Sequence, residues 1–540
     1  MSAPNLSTAQ ARVMVEALAQ LGVTQAVVCP GSRSAAMALA LDAHPDVDVH
    51  VAIDERSGAF LALGIARVTG VPAPVVVTSG TAVANLHPAV VEADADGVPF
   101  VAVTCDRPAR LRGTGANQTI DQPGIFGRAV RASFDVDVLP DEARSVQEWV
   151  DVVRAGWAAA IGAGGSRPGP VQLNLQFDEP TVPETDDGRT VGVPFDHATD
   201  VAVEPLPAWQ PPDVPLSEEL SAAGRVTRGL LIIGQGVPVD PGIVQAAADR
   251  LGWPVLADPL SGCRPLSATI ERASLLAGRD ELRPDAVIRV GRTVLARSVQ
   301  EMLAAVGTHV VIDPWGRSLD AAGSVTASLT GDPSTVLAAL PANPLAQPAW
   351  VASWREAARV LEQGGHPRGS LEADVTRAVA GAMAAGSTLV IGSSAPVRDL
   401  DEWADIPEGV RVLGNRGASG IDGFVSAALG IAVASDGPTV GLCGDLSFLH
   451  DRNGLLVDLA GPPATLTLVV IDNGGGQLFR RLPQARQPGF ERLFVTPPGV
   501  DLAAVAATHR LDLVEVHTPA AAAAAVGTPS VGVRLVRVRV

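Results

Sequence analysis

The chain has 540 residues, 47% of them hydrophobic, and a formal net charge of −18. A chain this long exceeds one hydrophobic core, so about three domains are expected, and so acidic a surface repels nucleic acid and anionic membranes. The sequence contains neither lysine nor tyrosine, which excludes a lysine Schiff base and a lysine-dependent phosphate loop.

Residues 1–22 do not form the basic-then-apolar pattern of a secretory leader. No apolar run approaches the ~20 residues needed to span a bilayer. A cytoplasmic protein with no membrane insertion is therefore expected. Cys29, Cys105, Cys263 and Cys443 are scattered beside apolar runs, and small buried hydrophobes are expected there rather than disulfides or metal ligands.

Helical and strand patterns alternate through the first 180 residues. Ser7 and Thr8 can cap a helix running to Leu21, with Gly22 at its stop. Apolar runs at 26–29, 47–53, 74–77 and 100–104 read as buried strands. They end in Pro30-Gly31-Ser32-Arg33, Asp54-Glu55-Arg56, Thr78-Ser79-Gly80-Thr81 and Asp106-Arg107-Pro108. Strands alternating with helices imply a parallel sheet covered on both faces. Residues 182–214 turn rich in Pro, Asp and Glu and read as a surface linker. A second α/β unit follows, with strands at 230–233, 255–256, 286–290 and 310–312, closed by a Pro-rich stretch at 341–348. The third carries strands at 388–391, 410–413, 439–442 and 465–471. The expected architecture is α/β, three tandem domains with parallel sheets, bounded at 1–184, 185–345 and 346–540.

The strongest chemical signal lies in the third unit. Gly444-Asp445 ends one strand, and Asp472-Asn473-Gly474-Gly475-Gly476 ends the next. Asp445 offers a carboxylate oxygen, Asn473 an amide oxygen, and the glycines let a backbone carbonyl such as that of Gly475 approach. Mg²⁺ prefers such hard oxygen ligands, completed by phosphates. N–H groups at helix starts after Asp445 and near Gln477 can face a diphosphate. The plain alternative is a pair of ordinary Asp/Asn turns, against which spacing, strand context and the glycine run all argue.

Arginines also stand at strand ends: Arg33 and Arg107 in the first unit, Arg398 and Arg416 in the third. In open α/β sheets ligands bind at that edge. Arginine grips carboxylates through two parallel hydrogen bonds, so the set points to substrates with several carboxylates, although any one arginine alone would be a solvated charge. Gly234-Gln235-Gly236 is a fragment of a dinucleotide fingerprint without the third glycine and carries little weight.

Gly-Asp followed by Asn at this spacing resembles the diphosphate-binding motif of thiamine-diphosphate enzymes. Their pyrimidine-binding, central and diphosphate-binding domains match the layout in order and size. The resemblance implies thiamine diphosphate with Mg²⁺ or Mn²⁺, the ion held by Asp445, Asn473 and Gly475. It also implies a homo-oligomer, at least a dimer, with the cofactor between subunits. Glu55, otherwise an ordinary charge at a helix N-terminus, would then face a ring nitrogen of the aminopyrimidine and drive its proton exchange. Ile421 would wedge between the two cofactor rings. Thr78, Gly80, Ser393, Ser394, Gly444, Leu446, Ser447, Gly476, Gln477, Leu478 and Phe479 would surround the cofactor.

Cys29 to Ser34, Thr78 to Ala82, Gly115-Ala116-Asn117-Gln118, Asn415 to Gly423 and Gly444-Asp445-Leu446-Ser447 are similar to one branch of this family. That branch joins decarboxylated 2-oxoglutarate to isochorismate in menaquinone biosynthesis. The likeness covers essentially the whole chain and is weakest in the central domain. It implies isochorismate recognition by Ser32, Arg33, Arg107, Asn117 and Gln118. It further implies that Arg297 and Arg398 hold the distal carboxylate of the oxoglutarate-derived unit, with Arg416 nearby. The nine histidines are scattered, without the adjacent pair that decarboxylases of the family often carry. Asp472 and Ser394 stand where asparagine is often found; neither change removes an essential group. The rival readings are a carboligase or decarboxylase for a smaller 2-oxoacid and a non-catalytic nucleotide-binding protein on the same fold. The arginine set argues against the first, and an intact Glu55, Asp445 and Asn473 against the second.

Overall fold

The structure, a computed structural model, describes residues 5–137, 142–183, 217–293, 295–364, 370–528 and 530–540. The linker expected at 182–214 lies almost wholly outside the described residues. The strands form sheets of seven, five and six. The first runs, in spatial order, Val457–Asp458, Asp48–Ala52, Gln25–Val28, Val75–Val77, Phe100–Asp106, Pro170–Gln176 and Ala132–Val136. The second runs Ala327–Thr330, Thr308–Asp313, Ala286–Val290, Gly229–Ile233 and Val255–Ala257. The third runs Arg411–Leu413, Thr388–Ile391, Thr439–Gly444, Leu466–Asp472, Val533–Arg539 and Asp512–Val516. Pairing is parallel throughout, except where Val457–Asp458 lies antiparallel to Asp48–Ala52. Val75–Val77 and Gly229–Ile233 are buried at every position, as strands covered by helices on both sides must be.

Helices supply the crossovers that parallel strands need. The cap of helix Leu6–Gln20 is Asn5, ahead of the predicted Ser7 and Thr8; its side chain accepts from the Thr8 N–H at 2.8 Å. Asp54 caps helix Glu55–Thr69 by accepting from the Arg56 and Ser57 N–H groups. All four cysteines are buried and free. Among the described residues no helix is long and apolar enough to cross a membrane.

Apart from the antiparallel edge, the first and third sheets share one strand order: second, first, third, fourth, sixth, fifth. The helix after the second strand is Glu55–Thr69 in one and Phe424–Ala434 in the other, and the two lie against each other. A Cβ built on Gly64 would stand 2.3 Å from the Ala427 carbonyl oxygen, and one on Gly430 would stand 2.1 Å from that of Leu61. Only residues without side chains let two backbones come this close. Phe60, Leu61 and Ile65 share one buried cluster with Val425, Leu429 and Ile431. Two domains distant in sequence therefore have a common core. Helix Pro348–Gln363 follows the boundary predicted at 345, yet its Trp350 and Trp354 pack on Leu230, Ile232 and Leu256. Trp350 Nε1 also donates to the Gly229 carbonyl at 2.7 Å. By packing, this helix goes with the second sheet rather than the third.

Candidate active site

The strand order of the first sheet reverses at Gln25–Val28, between Asp48–Ala52 and Val75–Val77, and the loops after these strands open at one edge. Arg107 Nη1 donates to Ser79 Oγ at 2.7 Å and to the Gln118 carbonyl at 2.8 Å. Gln118 Nε2 donates to the Ser79 carbonyl at 2.9 Å. These bonds hold Gln118 at a φ of 54°, a conformation that costs any residue but glycine. Arg33 donates to the Phe177 carbonyl and pairs with Glu179, both at 2.9 Å. Partial burial, then the charge of Arg33, lowers the Arg107 pKa; a carboxylate arriving between the two guanidiniums would relieve that crowding. Ser32 and Asn117 lie exposed on the same loops, while Thr78 and Gly80 are buried. Glu55 opens its helix at the neighbouring strand end, and its Oε2 accepts from Asn85 Nδ2 at 3.1 Å.

In the third sheet Thr439–Gly444 and Leu466–Asp472 are neighbours ending at the same edge. Asp445 is buried; its two oxygens accept from the Leu446 N–H at 2.7 Å and the Gly475 N–H at 2.8 Å. Burial raises its pKa, opposed by those two donors. Asn473 Nδ2 donates to Glu372 at 3.4 Å, and the Asn473 carbonyl accepts from Gln477 Nε2 at 2.9 Å. Asn473 Oδ1, however, is buried without a hydrogen-bond partner. Such an oxygen costs about 1–3 kcal/mol unless something takes up its lone pairs. Gly475 has a φ of 118°, and a Cβ there would stand 2.2 Å from the Val495 carbonyl oxygen, so the loop needs glycine. A carboxylate, an orphaned amide oxygen and a glycine-borne carbonyl suit a hard divalent cation.

Leu446 and Ser447 lie in the first turn of helix Asp445–His450. Gln477, Leu478 and Phe479 lie in the short turn Gln477–Arg481. The Phe479 ring sits 5.9 Å from that of Phe494. Ser393 Oγ donates to the Asn415 carbonyl at 2.7 Å, and the Ser394 carbonyl accepts from Arg398 Nη1 at 2.7 Å. Burial lowers the pKa of Arg416; nearby Asp258 opposes this and the charge of Arg398 adds to it. Ile421 is half-buried in the loop that follows.

The backbone of that loop is held from outside its own domain. Glu92, buried on helix His87–Asp96 of the first domain, accepts from the N–H groups of Gly417 and Ala418, each at 2.7 Å. Arg292, just after strand Ala286–Val290 of the second, donates to the carbonyls of Arg416 at 2.9 Å and Gly417 at 3.3 Å. Gln235 Nε2 donates to the Arg416 carbonyl at 3.2 Å. Arg67 pairs with Glu92 at 2.9 Å and also with Asp96. Sequence reasoning gave none of these residues a part in the site. The only trace was glycine directly beside Gln235 and Arg292 at the ends of buried strands.

Arg297 is not brought to Arg398. It opens helix Arg297–Ala305 at the surface, its side chain 92% exposed and paired with Glu301 at 2.8 Å. Arg292 is instead the central arginine that reaches the third domain's loop. The remaining predicted residues fall into two sets. Glu55, Arg33 and Arg107 stand at the edge of the first sheet; Asp445, Asn473 and Arg398 stand at the edge of the third. Among the described residues no hydrogen bond or ion pair joins the two sets.

Fold and site are those of a thiamine-diphosphate enzyme. The family model for the thiamine pyrophosphate enzyme N-terminal TPP binding domain matches residues 9–125, and that for the C-terminal TPP binding domain matches residues 405–529. A Thermobifida fusca protein named 2-succinyl-5-enolpyruvyl-6-hydroxy-3-cyclohexene-1-carboxylate synthase is 42% identical over 535 residues, covering 95% of this chain and 92% of that protein. Relatives of the same name from Saccharopolyspora erythraea and Halobacterium salinarum are 38% and 37% identical; they cover 94% and 96% of this chain, which matches 91% and 92% of their own length. The chain belongs to the 2-succinyl-5-enolpyruvyl-6-hydroxy-3-cyclohexene-1-carboxylate synthase family.

Proposed function

We propose that this chain decarboxylates 2-oxoglutarate and adds the succinyl-semialdehyde equivalent to isochorismate. The products would be 2-succinyl-5-enolpyruvyl-6-hydroxy-3-cyclohexene-1-carboxylate and CO₂, in menaquinone biosynthesis. The observation that carries this reading is the orphaned Asn473 oxygen on the loop that binds Asp445, with arginines on the same sheet edge. Thiamine diphosphate, when bound, supplies a carbon nucleophile and a sink for the electron pair left by decarboxylation. Asp445, Asn473 and the Gly475 carbonyl would hold Mg²⁺ or Mn²⁺. Gly444, Leu446, Ser447, Gly476, Gln477, Leu478, Phe479, Ser393, Ser394, Thr78, Gly80 and Ile421 would hold the cofactor.

Glu55 would exchange a proton between its carboxylate and a ring nitrogen of the aminopyrimidine, steadied by the Asn85 amide. Arg33 and Arg107, with Ser32, Asn117 and Gln118, would bind the carboxylates of isochorismate. Arg398 and Arg416 would hold the distal carboxylate of 2-oxoglutarate. Arg297, turned to solvent, is left out of this assignment.

A homo-oligomer, at least a dimer with the site shared between subunits, belongs to the same proposal. It is supported by the exposure of Ile53, two residues from Glu55. The test is isochorismate loss with and without 2-oxoglutarate, in thiamine diphosphate and Mg²⁺, repeated with Glu55→Gln. Loss that needs both substrates and collapses in the variant is the expected result. CO₂ release from a smaller 2-oxoacid, with isochorismate untouched, would replace this reading with another carboligase or decarboxylase.

A further inference from the structure

Arg416 and Ile421 sit on a loop, and a loop alone positions a guanidinium poorly. Here the three residues 416–418 exchange hydrogen bonds with side chains of both other domains. Glu92 takes two consecutive N–H groups, and Arg292 and Gln235 give to the two carbonyls beside them. All three side chains are largely or fully withdrawn from solvent. The central domain's share depends on close backbone packing. A Cβ on Gly234 would stand 1.6 Å from the Arg292 carbonyl oxygen, and one on Gly291 would stand 2.8 Å from that of Gln235. The glycines therefore bring the ends of strands Gly229–Ile233 and Ala286–Val290 together, so that Gln235 and Arg292 reach the Arg416 carbonyl side by side.

We infer that Glu92, Gln235 and Arg292 are positioning residues, which set the Arg416 guanidinium for the distal carboxylate of the 2-oxoacid through the backbone of residues 416–418. Gly234-Gln235-Gly236 has this mechanical task and is no remnant of a dinucleotide site. The central domain, whose predicted arginine points away, thereby takes part in substrate choice. The inference rests on the proposed role of Arg416, and the experiment separates the two.

Gln235→Leu, which removes the amide donor at nearly constant volume and touches no charge, is compared with Glu92→Gln and with Arg416→Gln in the cofactor-loaded enzyme. For each, KM is measured separately for 2-oxoglutarate and isochorismate, together with kcat and the melting temperature. Losing one such hydrogen bond corresponds to about a fivefold effect. We expect KM for 2-oxoglutarate to rise about fivefold in Gln235→Leu and more in Glu92→Gln, with KM for isochorismate unchanged. A merely structural role would lower kcat and melting temperature and leave the ratio of the two KM values alone; that outcome overturns the inference. If Arg416→Gln raises KM for 2-oxoglutarate while the other two variants do not, the positioning role fails and the Arg416 reading stands. If Arg416→Gln has no effect on that KM, both fail.

Discussion

Replacing Gly430 by alanine tests whether the first and third domains are joined by direct backbone contact. The added Cβ would stand 2.1 Å from the Leu61 carbonyl oxygen, where ordinary contact begins at 3.4 Å. The obstacle is helix backbone and cannot swing aside, so the helices must part by roughly 1 Å in a core packed without slack. Phe60, Leu61, Ile65, Val425 and Leu429 would loosen together. Overpacking of this kind costs about 1–3 kcal/mol, and a backbone obstacle argues for the upper half. At about 2–4 °C per kcal/mol for a domain of this size, the melting temperature should fall by about 4–12 °C. Gly64→Ala meets its own obstacle at 2.3 Å and should behave alike. Once one substitution has parted the helices, the second costs less, so the double variant should fall short of the sum. Gly381, in helix Leu371–Gly381, has nothing within 4 Å of a built Cβ. Gly381→Ala should therefore raise stability by about 0.4–1 kcal/mol. The assay is calorimetric melting of the four variants beside the parent. A Gly430→Ala protein that melts with the parent, or a strictly additive double variant, would refute the reasoning.

Asn473→Ala should abolish the melting-temperature gain from thiamine diphosphate with Mg²⁺, worth about 2.7 kcal/mol at a hundredfold excess over Kd. The cofactor-free variant should be at least as stable as the parent, because an unpaired buried oxygen has gone; chelation by EDTA should erase the gain in the parent. His309 Nε2 accepts from Arg289 Nε at 3.1 Å, and burial pushes its pKa down to about 4. The unfolded chain binds the extra proton, so this stability is present above pH 6.5 and is lost as pH falls toward 4. Urea titrations should show that slope flattened in His309→Gln. Asp399 has the opposite sign: burial pushes its pKa up to about 7, so the folded state holds the proton and stability falls as pH rises from 3.8 toward 7. Asp399→Asn should remove that fall and be the more stable protein at pH 8. Arg297→Ala should leave KM for 2-oxoglutarate within about twofold, whereas Arg398→Ala, losing a charge-assisted contact, should raise it about tenfold or more.

Local pattern carried much of the architecture. Apolar runs bounded by turns marked twelve strands, and the strand ends marked Glu55, Asp445 and Asn473 because ligands of such sheets gather there. Strand Pro170–Gln176 escaped notice because Gln172, Asn174 and Gln176 interrupt its apolar residues. They are buried nonetheless: Gln172 donates to Thr104 at 3.1 Å, and Asn174 donates to Asp106 at 3.1 Å. A polar interior face looks like a surface face in sequence. Val457–Asp458 is two residues long and pairs with the first sheet across the whole chain, beyond the reach of any periodicity. The same limit hid Glu92, whose bond to Gly417 spans 325 positions. Arg297 shows a further limit. Its residue type and neighbourhood fitted a carboxylate ligand, but a place at the first turn of a surface helix turned it to solvent.

The crossing of the two glycine-bearing helices has one more consequence. Gly64 faces Ala427 and Ile431, and Gly430 faces Leu61 and Ile65. Each glycine meets the residue three before and the residue one after its counterpart. Contacts that repeat with the roles exchanged are isologous, the kind a twofold axis creates between identical subunits. A single polypeptide thus contains an internal dimer of two unlike halves built to one plan. One copy of the plan keeps the edge with Glu55, and the other keeps the edge with the Asp445 and Asn473 oxygens. Neither edge has to compromise for the other's chemistry, because the symmetry that aligns the halves is spent on the buried crossing and leaves both working edges free to diverge.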